Sequence, residues 1–248
     1  MIQGLYAAAT GMMGIERLQD VVANNIANAT TPGFRRQEMV QEGFDQVFFK
    51  AMRDPFFFNR EAGPGGGLRP WSTFTDLKPG PLQDTGNPLN VAIEGPGFFA
   101  VDTPEGPRYT RNGQFTVGVD GQLVTTEGFK VSGGIDVGEG KVEIDNEGNV
   151  IVDGTVAGQL SIVEFEDPRR LTRAGDDFYI ASQEVEGESA PATQSSVVSG
   201  MVEQSNVQLP MEMVNMTLGL RHYAANQRVI NAMDETMGRV IDQVGFPQ

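Results

Sequence analysis

Asn24-Asn25-Ile26-Ala27-Asn28-Ala29-Thr30-Thr31-Pro32-Gly33-Phe34 carries a helix into a turn. Thr31 precedes Pro32 and is therefore biased away from the α conformation. Pro32-Gly33 is a turn dipeptide, so a helix arriving from the N-terminus must stop near Thr30. Three Asn within five residues are unfavourable inside a helix, because their side chains compete for backbone hydrogen bonds. Asn24, Asn25 and Asn28 at a helix end are therefore expected to make specific hydrogen bonds there.

Upstream of this stretch the spacing is helical. Met1, Leu5, Ala8, Met12, Ile15, Gln19, Val22, Ile26 and Ala29 alternate steps of four and three, and eight of these nine positions are apolar. That is the seam of a helix that packs on other helices. The far end of the chain repeats it. Leu209, Met213, Met216, Leu220, Tyr223, Gln227, Ile230, Asp234, Met237, Ile241 and Val244 form a second seam, nine of its eleven positions apolar. Pro210 suits a first helical turn, and Gly245 and Pro247 mark the stop. A helix from 211 to 244 is about 50 Å long. An ordinary helical hairpin on a globular domain would account for both seams. The polar seam residues Gln19, Gln227 and Asp234 instead point to register and partner selection in an assembly of many helices.

Between the helices the pattern changes to β. Short runs at 90–93, 98–101, 114–117, 122–124, 142–144, 150–152 and 159–163 are separated by turn signals such as Asp120-Gly121 and Glu147-Gly148-Asn149. They predict an antiparallel β domain over 71–190. Residues 32–70, with Phe56-Phe57-Phe58 and the Gly-rich run at 63–67, read as an extended connector, and the Ser/Gln-rich stretch 191–208 as a second one. The fold class is thus α+β, with helices at 1–31 and 209–248.

Charge narrows the function. The chain has 248 residues and a net charge of −15. Residues 71–190 carry 21 acids and 8 bases, while 1–70 carry 7 of each. The acidic middle would repel a polyanion, so nucleic acid is not an expected partner. Near-neutral ends suit packing against protein. No Cys is present, which excludes disulfides and thiolate-bound metals. No cleavable signal peptide and no membrane-spanning run is evident.

Catalysis finds little support. The single His, His222, sits in the terminal helix, where a surface or interface residue is the plain reading. The glycines at 63–67 lack the Lys of a phosphate loop. Asp145-Asn146-Glu147-Gly148 lacks the spacing of a calcium loop and reads as a hairpin turn. No catalytic residue, metal site or cofactor is expected. An extracellular binding module, for example for glycan, would leave both seams unexplained.

Three blocks carry a resemblance. The stretch 24–34 closely resembles the N-terminal motif of the flagellar rod and hook protein family. PLNVAIEGPGFFAVDTPEGPRYTRNGQFTVGVDGQLVTTEGFKVSG, from Pro88 to Gly133, resembles its central β domain. Gly200 to Val207 and Met211-Glu212-Met213-Val214 resemble its approach to the last helix. The resemblance implies an axial tube with the terminal helices in a coiled-coil-like inner layer and the β domain outside. It implies export through the flagellar type III gate without a cleaved signal, into the periplasmic rod of the basal body. The implied partners are copies of this chain, other rod and hook proteins, the export apparatus and surrounding ring proteins. The assembly interface is then expected to include Leu5, Met12, Ile15, Val22, Asn24, Asn25, Ile26, Asn28, Pro32, Gly33, Phe34, Met213, Met216, Leu220, Tyr223, Ile230, Met237 and Ile241. Length and the tail 228–235 are nearer to proximal rod members, the long connector to distal ones, and a hook protein ranks third. Asn90 departs from the family's usual Asp.

Overall fold

A computed structural model describes residues 2–42, 69–138, 140–175, 177–182, 190–192 and 195–244. The chain divides into two units. One comprises 1–27, 37–74 and 208–248, and the other 28–36 and 75–207.

The first unit is built on two long helices, α1 (Ile2–Ala27) and α2 (Leu209–Val244). Helix α1 ends at Ala27, short of the expected stop near Thr30, and Asn28–Thr31 form the turn that leads to Pro32. Helix α2 starts with Pro210 in its first turn, and the Gln208 carbonyl accepts the N–H groups of Met211 and Glu212. Strands β1 (Gln37–Glu42) and β2 (Arg69–Thr75) pair with each other, so the expected connector over 32–70 is strand at both its ends. Phe56–Phe58 and the glycines at 63–67 lie outside the described residues.

The second unit is mainly β, with one short 3-10 turn at Pro168–Arg170 among its described residues. Its strands are β3 (Leu82–Asp84), β4 (Val91–Glu94), β5 (Phe98–Thr103), β6 (Gly106–Thr110), β7 (Phe115–Val117), β8 (Leu123–Thr125) and β9 (Lys130–Val131). They continue as β10 (Val142–Ile144), β11 (Asn149–Val152), β12 (Thr155–Gln159), β13 (Ile162–Glu164), β14 (Thr172–Arg173), β15 (Phe178–Ile180), β16 (Ala190–Pro191), β17 (Ser196–Ser199) and β18 (Met201–Glu203). The main sheet runs β14-β15-β6-β5-β9-β8-β7, with β13 joined to β5 and β16 to β13. Its pairings are antiparallel.

Strand β5 is covered on both faces. Phe99 belongs to one core with Val91, Phe115, Leu123, Val131, Ile135, Val150 and Val197, and packs edge-on against Phe115. Phe98 belongs to another with Ala100, Tyr109, Phe165 and Tyr179. Double coverage explains why 98–101 reads as a continuous apolar run and not as an alternating one. The run at 159–163 is broken, its first residue ending β12 and the rest reaching β13. At Asp145–Asn149 the structure makes the hairpin turn joining β10 and β11. The Asp145 carboxylate accepts the N–H groups of Glu147 and Asn149 and the Asn149 side-chain amide, and these bonds hold it below the usual carboxylate range.

One boundary is corrected. Residues 191–208 are not a connector. Strand β17 pairs antiparallel with β4 and β18 with β3. The polar composition hides two buried valines, Val197 and Val202, that anchor these strands.

Candidate assembly interface

The two helices form an antiparallel pair within the first unit. Gly11 faces Asn226, and Gly219 faces Gln19 and Ile15, so the contacts run in opposite order along the two helices. Close approach depends on the missing side chain at Gly11. A Cβ there would stand 3.1 Å from Asn226 Nδ2. Gly11→Leu should therefore push the helices apart at a cost of about 1–3 kcal/mol, beyond what its better helix propensity returns. Hydrogen exchange in α1 and α2 would then quicken while amides of the β unit stay protected.

Helix α1 turns Ala8, Gly11, Gly14, Val22 and Asn25 fully inward, with Leu5, Met12, Ile15, Gln19 and Ile26 half-buried. Its seam is where the spacing placed it. Among the described side chains, helix α2 follows its seam at only three positions. Met216, Ile230 and Met237 are half-buried, but the other inward positions include Glu212, Gly219, Asn226 and Met233. Met213, Leu220, Gln227 and Asp234 lie one residue away and are exposed. Tyr223 is exposed at the edge of the covered face, and the side chain of Ile241 lies outside the described residues. The polar seam residues Gln227 and Asp234 thus do not set the register of this helix pair, and of the three only Gln19 touches it, beside Gly219.

Two apolar lines of α2 remain uncovered in the single chain. One is Leu209, Met213 and Leu220. The other, which the heptad reading missed, is Met211, Val214, Leu218, Val229 and Val240. Its steps of three, four, eleven and eleven return to one side of an α-helix, and that spacing was the available signal. With these lines α2 carries exposed apolar residues on sides other than the one it turns toward α1. A helix of that kind is ordinarily enclosed by several neighbours.

The motif at 24–34 does different work. Asn25 is buried, and its amide makes two hydrogen bonds to the backbone of Gln37, at 2.8 and 2.9 Å. Asn28 closes the following turn, accepting Thr31 N–H at its carbonyl and Thr31 Oγ1 at its side chain. Asn24 is exposed and Pro32 half-buried. Gly33 has φ +72, and a Cβ on it would stand 2.4 Å from the Asn112 nitrogen, so position 33 excludes side chains on both counts. Phe34 is fully buried with the Arg173 guanidinium 4.1 Å from its ring centre. Asn25, Gly33 and Phe34 therefore lie inside the chain.

Beside Gly33 and Phe34 sits a buried ionic cluster that the sequence reading did not single out. Glu203 Oε1 is 2.5 Å from Arg35 Nη1 and accepts the Gly80 N–H at 2.8 Å. Its Oε2 faces Arg111 Nη1 at 3.4 Å, and its carbonyl accepts the Gly33 N–H at 2.7 Å. Arg35 also donates to the Lys78 carbonyl, and Arg111 to those of Ile93 and Gly95. Burial pulls the Arg111 guanidinium down to about 10, against the opposing pull of Glu203, so it stays charged at neutral pH. Next to the cluster Asn206 accepts the Arg36 N–H and donates to the carbonyls of Asp76 and Lys78. The turn 31–36, the segment 76–80 and the segment 203–206 are thereby tied together.

Three family models match separate parts of the chain. Residues 5–35 match the flagella basal body rod protein model, 92–152 the flagellar hook protein FlgE/F/G D1 domain, and 198–243 the flagellar basal body rod FlgEFG protein C-terminal region. The chain is 30% identical over 270 residues to the basal-body rod protein FlgG of Buchnera aphidicola subsp. Schizaphis graminum, covering 97% of this chain and 99% of that one. It is 31% identical over 267 residues to FlgG of Bacillus subtilis, covering 98% and 99%. It is 31% identical over 256 residues to FlgF of Caulobacter vibrioides, covering 99% of each. With its helical ends, its β middle and these full-length similarities, the chain belongs to the flagellar basal-body rod proteins of the FlgF and FlgG type.

Proposed function

We propose that this protein is a structural subunit of the flagellar rod that polymerises through its terminal helices into the axial drive-shaft tube. The observation that carries the reading is the pair of uncovered apolar lines on α2. Leu220 and Val229 stand on different sides of the helix and are both exposed. One neighbour cannot cover both, whereas a ring of helices covers each against a different copy. The terminal helices then form a coiled-coil-like inner layer, to which Leu5, Met12, Ile15, Val22, Ile26, Met216, Tyr223, Ile230, Met237 and Ile241 contribute within and between subunits. Asn24, Asn28 and Pro32 lie at its margin. The subunit works by packing and performs no chemistry.

Its partners are copies of itself, other rod and hook proteins and the flagellar type III export apparatus, with ring proteins around the finished rod. Its place is the periplasmic rod of the basal body. Among the described residues no helix is long and apolar enough to cross a membrane. The proximal rod is the favoured position. Alignments to FlgF relatives run over 256 and 251 residues and those to FlgG relatives over 267 and 270, against 248 in this chain.

The native chain has no thiol, so a cysteine at Leu220 is a clean reporter. It should react freely with a maleimide in the isolated subunit. In purified basal bodies the reaction should slow about tenfold or more, because reactivity requires an accessible thiolate. Equal labelling in both states would refute the packing of this face.

A further inference from the structure

Methionine is distributed unevenly in this chain. Of eleven methionines, Met12, Met13, Met211, Met213, Met216, Met233 and Met237 lie on the two long helices, and none occurs between Met52 and Met201. The β unit fills its cores with valine, isoleucine and aromatic residues instead. The helical methionines fall into two groups. Met12, Met216, Met233 and Met237 are half-buried. Met13, Met211 and Met213 are 58%, 53% and 58% exposed. Each uncovered line of α2 contains one of these three, Met213 in the first and Met211 in the second. The chain has no cysteine that would react first.

A thioether in such a place is an apolar contact that one oxygen atom converts into a polar one. We infer that Met13, Met211 and Met213 are modification sites for peroxide, and that their oxidation keeps the free subunit from assembling. The inference rests on the assembly reading above and adds to it a redox control. In the step, a sulfur lone pair attacks one oxygen of hydrogen peroxide. The S–O bond forms as the O–O bond breaks, and the released hydroxide takes the proton from the oxygen now on sulfur and leaves as water. Sulfur gives up two electrons and becomes a sulfoxide, and the peroxide is reduced. The sulfoxide oxygen is a strong acceptor that stays hydrated in the free subunit. Covered by a neighbouring helix it would be stripped of water without a matching donor. Subunits already in place are shielded by the contacts they make, so the sensitivity belongs to the unassembled chain. Methionine sulfoxide reductase, which returns the thioether at the expense of a dithiol, would restore assembly.

The test uses the full-length chain, hydrogen peroxide and sedimentation velocity, with peptide mass spectrometry to place the added oxygen. Three chains are compared: wild type, the triple variant Met13→Leu/Met211→Leu/Met213→Leu, and Leu220→Asp. Leucine keeps the volume and apolarity of methionine and cannot take oxygen. In wild type the oxygen should appear first on the three exposed methionines, and self-association should weaken about tenfold, returning with the reductase. The triple variant should associate equally well before and after peroxide. Wild type that carries all three sulfoxides and associates as before overturns the inference, as does earlier oxidation of Met216 or Met233. Leu220→Asp separates the two levels of the argument. If it abolishes association while oxidised wild type associates normally, the redox control alone falls. If it associates like wild type, or if untreated wild type stays monomeric, the assembly reading falls and takes the redox control with it.

Discussion

Leu220→Asp should abolish rod completion and leave the folded subunit intact. Leu220 is 56% exposed, so in the free chain the new carboxylate stays in water. Exposed substitutions of that kind change stability by about 0.5 kcal/mol or less. In a tube where a neighbouring helix covers this position, the same carboxylate is buried without a cation, at several kcal/mol per site. The cost recurs in every subunit, so assembly should fail outright. Ile230→Asp and Ile26→Asp make an informative contrast. Both residues are half-buried in the helical unit, so these changes should loosen that unit in the free subunit as well as stop assembly. Rod completion in isolated basal bodies, with circular dichroism of the purified subunit, reads both effects. Complete rods that contain the Leu220→Asp protein would end the argument for this face.

Glu203→Ala should unfold the β unit far more easily than any surface change. The substitution leaves Arg35 and Arg111 buried without their shared carboxylate. Removing one partner from a buried ion pair costs about 3–5 kcal/mol, because the remaining charge is uncompensated. Gly80 also loses the acceptor for its N–H. For a unit of this size the melting temperature should drop by about 10 °C or more. Glu203→Gln keeps an acceptor for Gly80 while removing the charge, so its loss should be smaller than that of alanine. A calorimetric melt of Glu203→Ala within a degree of wild type would show that the cluster contributes nothing net.

These residues mark the limit of what the chain states about itself. Local rules found the helices because periodicity, the Thr31-Pro32 break and Pro210 each act within a few residues. They found the strands around Phe98-Phe99 and Asp120-Gly121 for the same reason. Arg35 and Glu203 are far apart in sequence, and nothing near either position says that the other is its partner. The family-like block 200–207 contained both Glu203 and Asn206, yet similarity of a block does not say what its side chains touch. Strands β17 and β18 were hidden by serine and glutamine around two valines. The seam of α2 is more instructive. An apolar heptad shows that a face requires cover without naming the element that covers it. Within the subunit, close approach at Gly11 moved the contact onto Gly219 and Asn226, residues no hydrophobic pattern selects. The apolar positions Met213 and Leu220 were left exposed.

The cluster around Glu203 and Asn206 has a mechanical side. The chain passes between its two units four times, after residues 27, 36, 74 and 207. The segments at all four passages are bonded to one another within the β unit: Asn28 to Thr31, Gly33 to Glu203, Arg36 to Asp76 and Asn206, and Asn206 to Asp76. A unit held by a single tether takes a pulling force at one point and peels open there. Here the load divides over four covalent paths braced against each other by hydrogen bonds and a buried ion pair. Several bonds must break together before any path extends. Resistance to forced unfolding follows the unfolding rate, which such parallel loading slows.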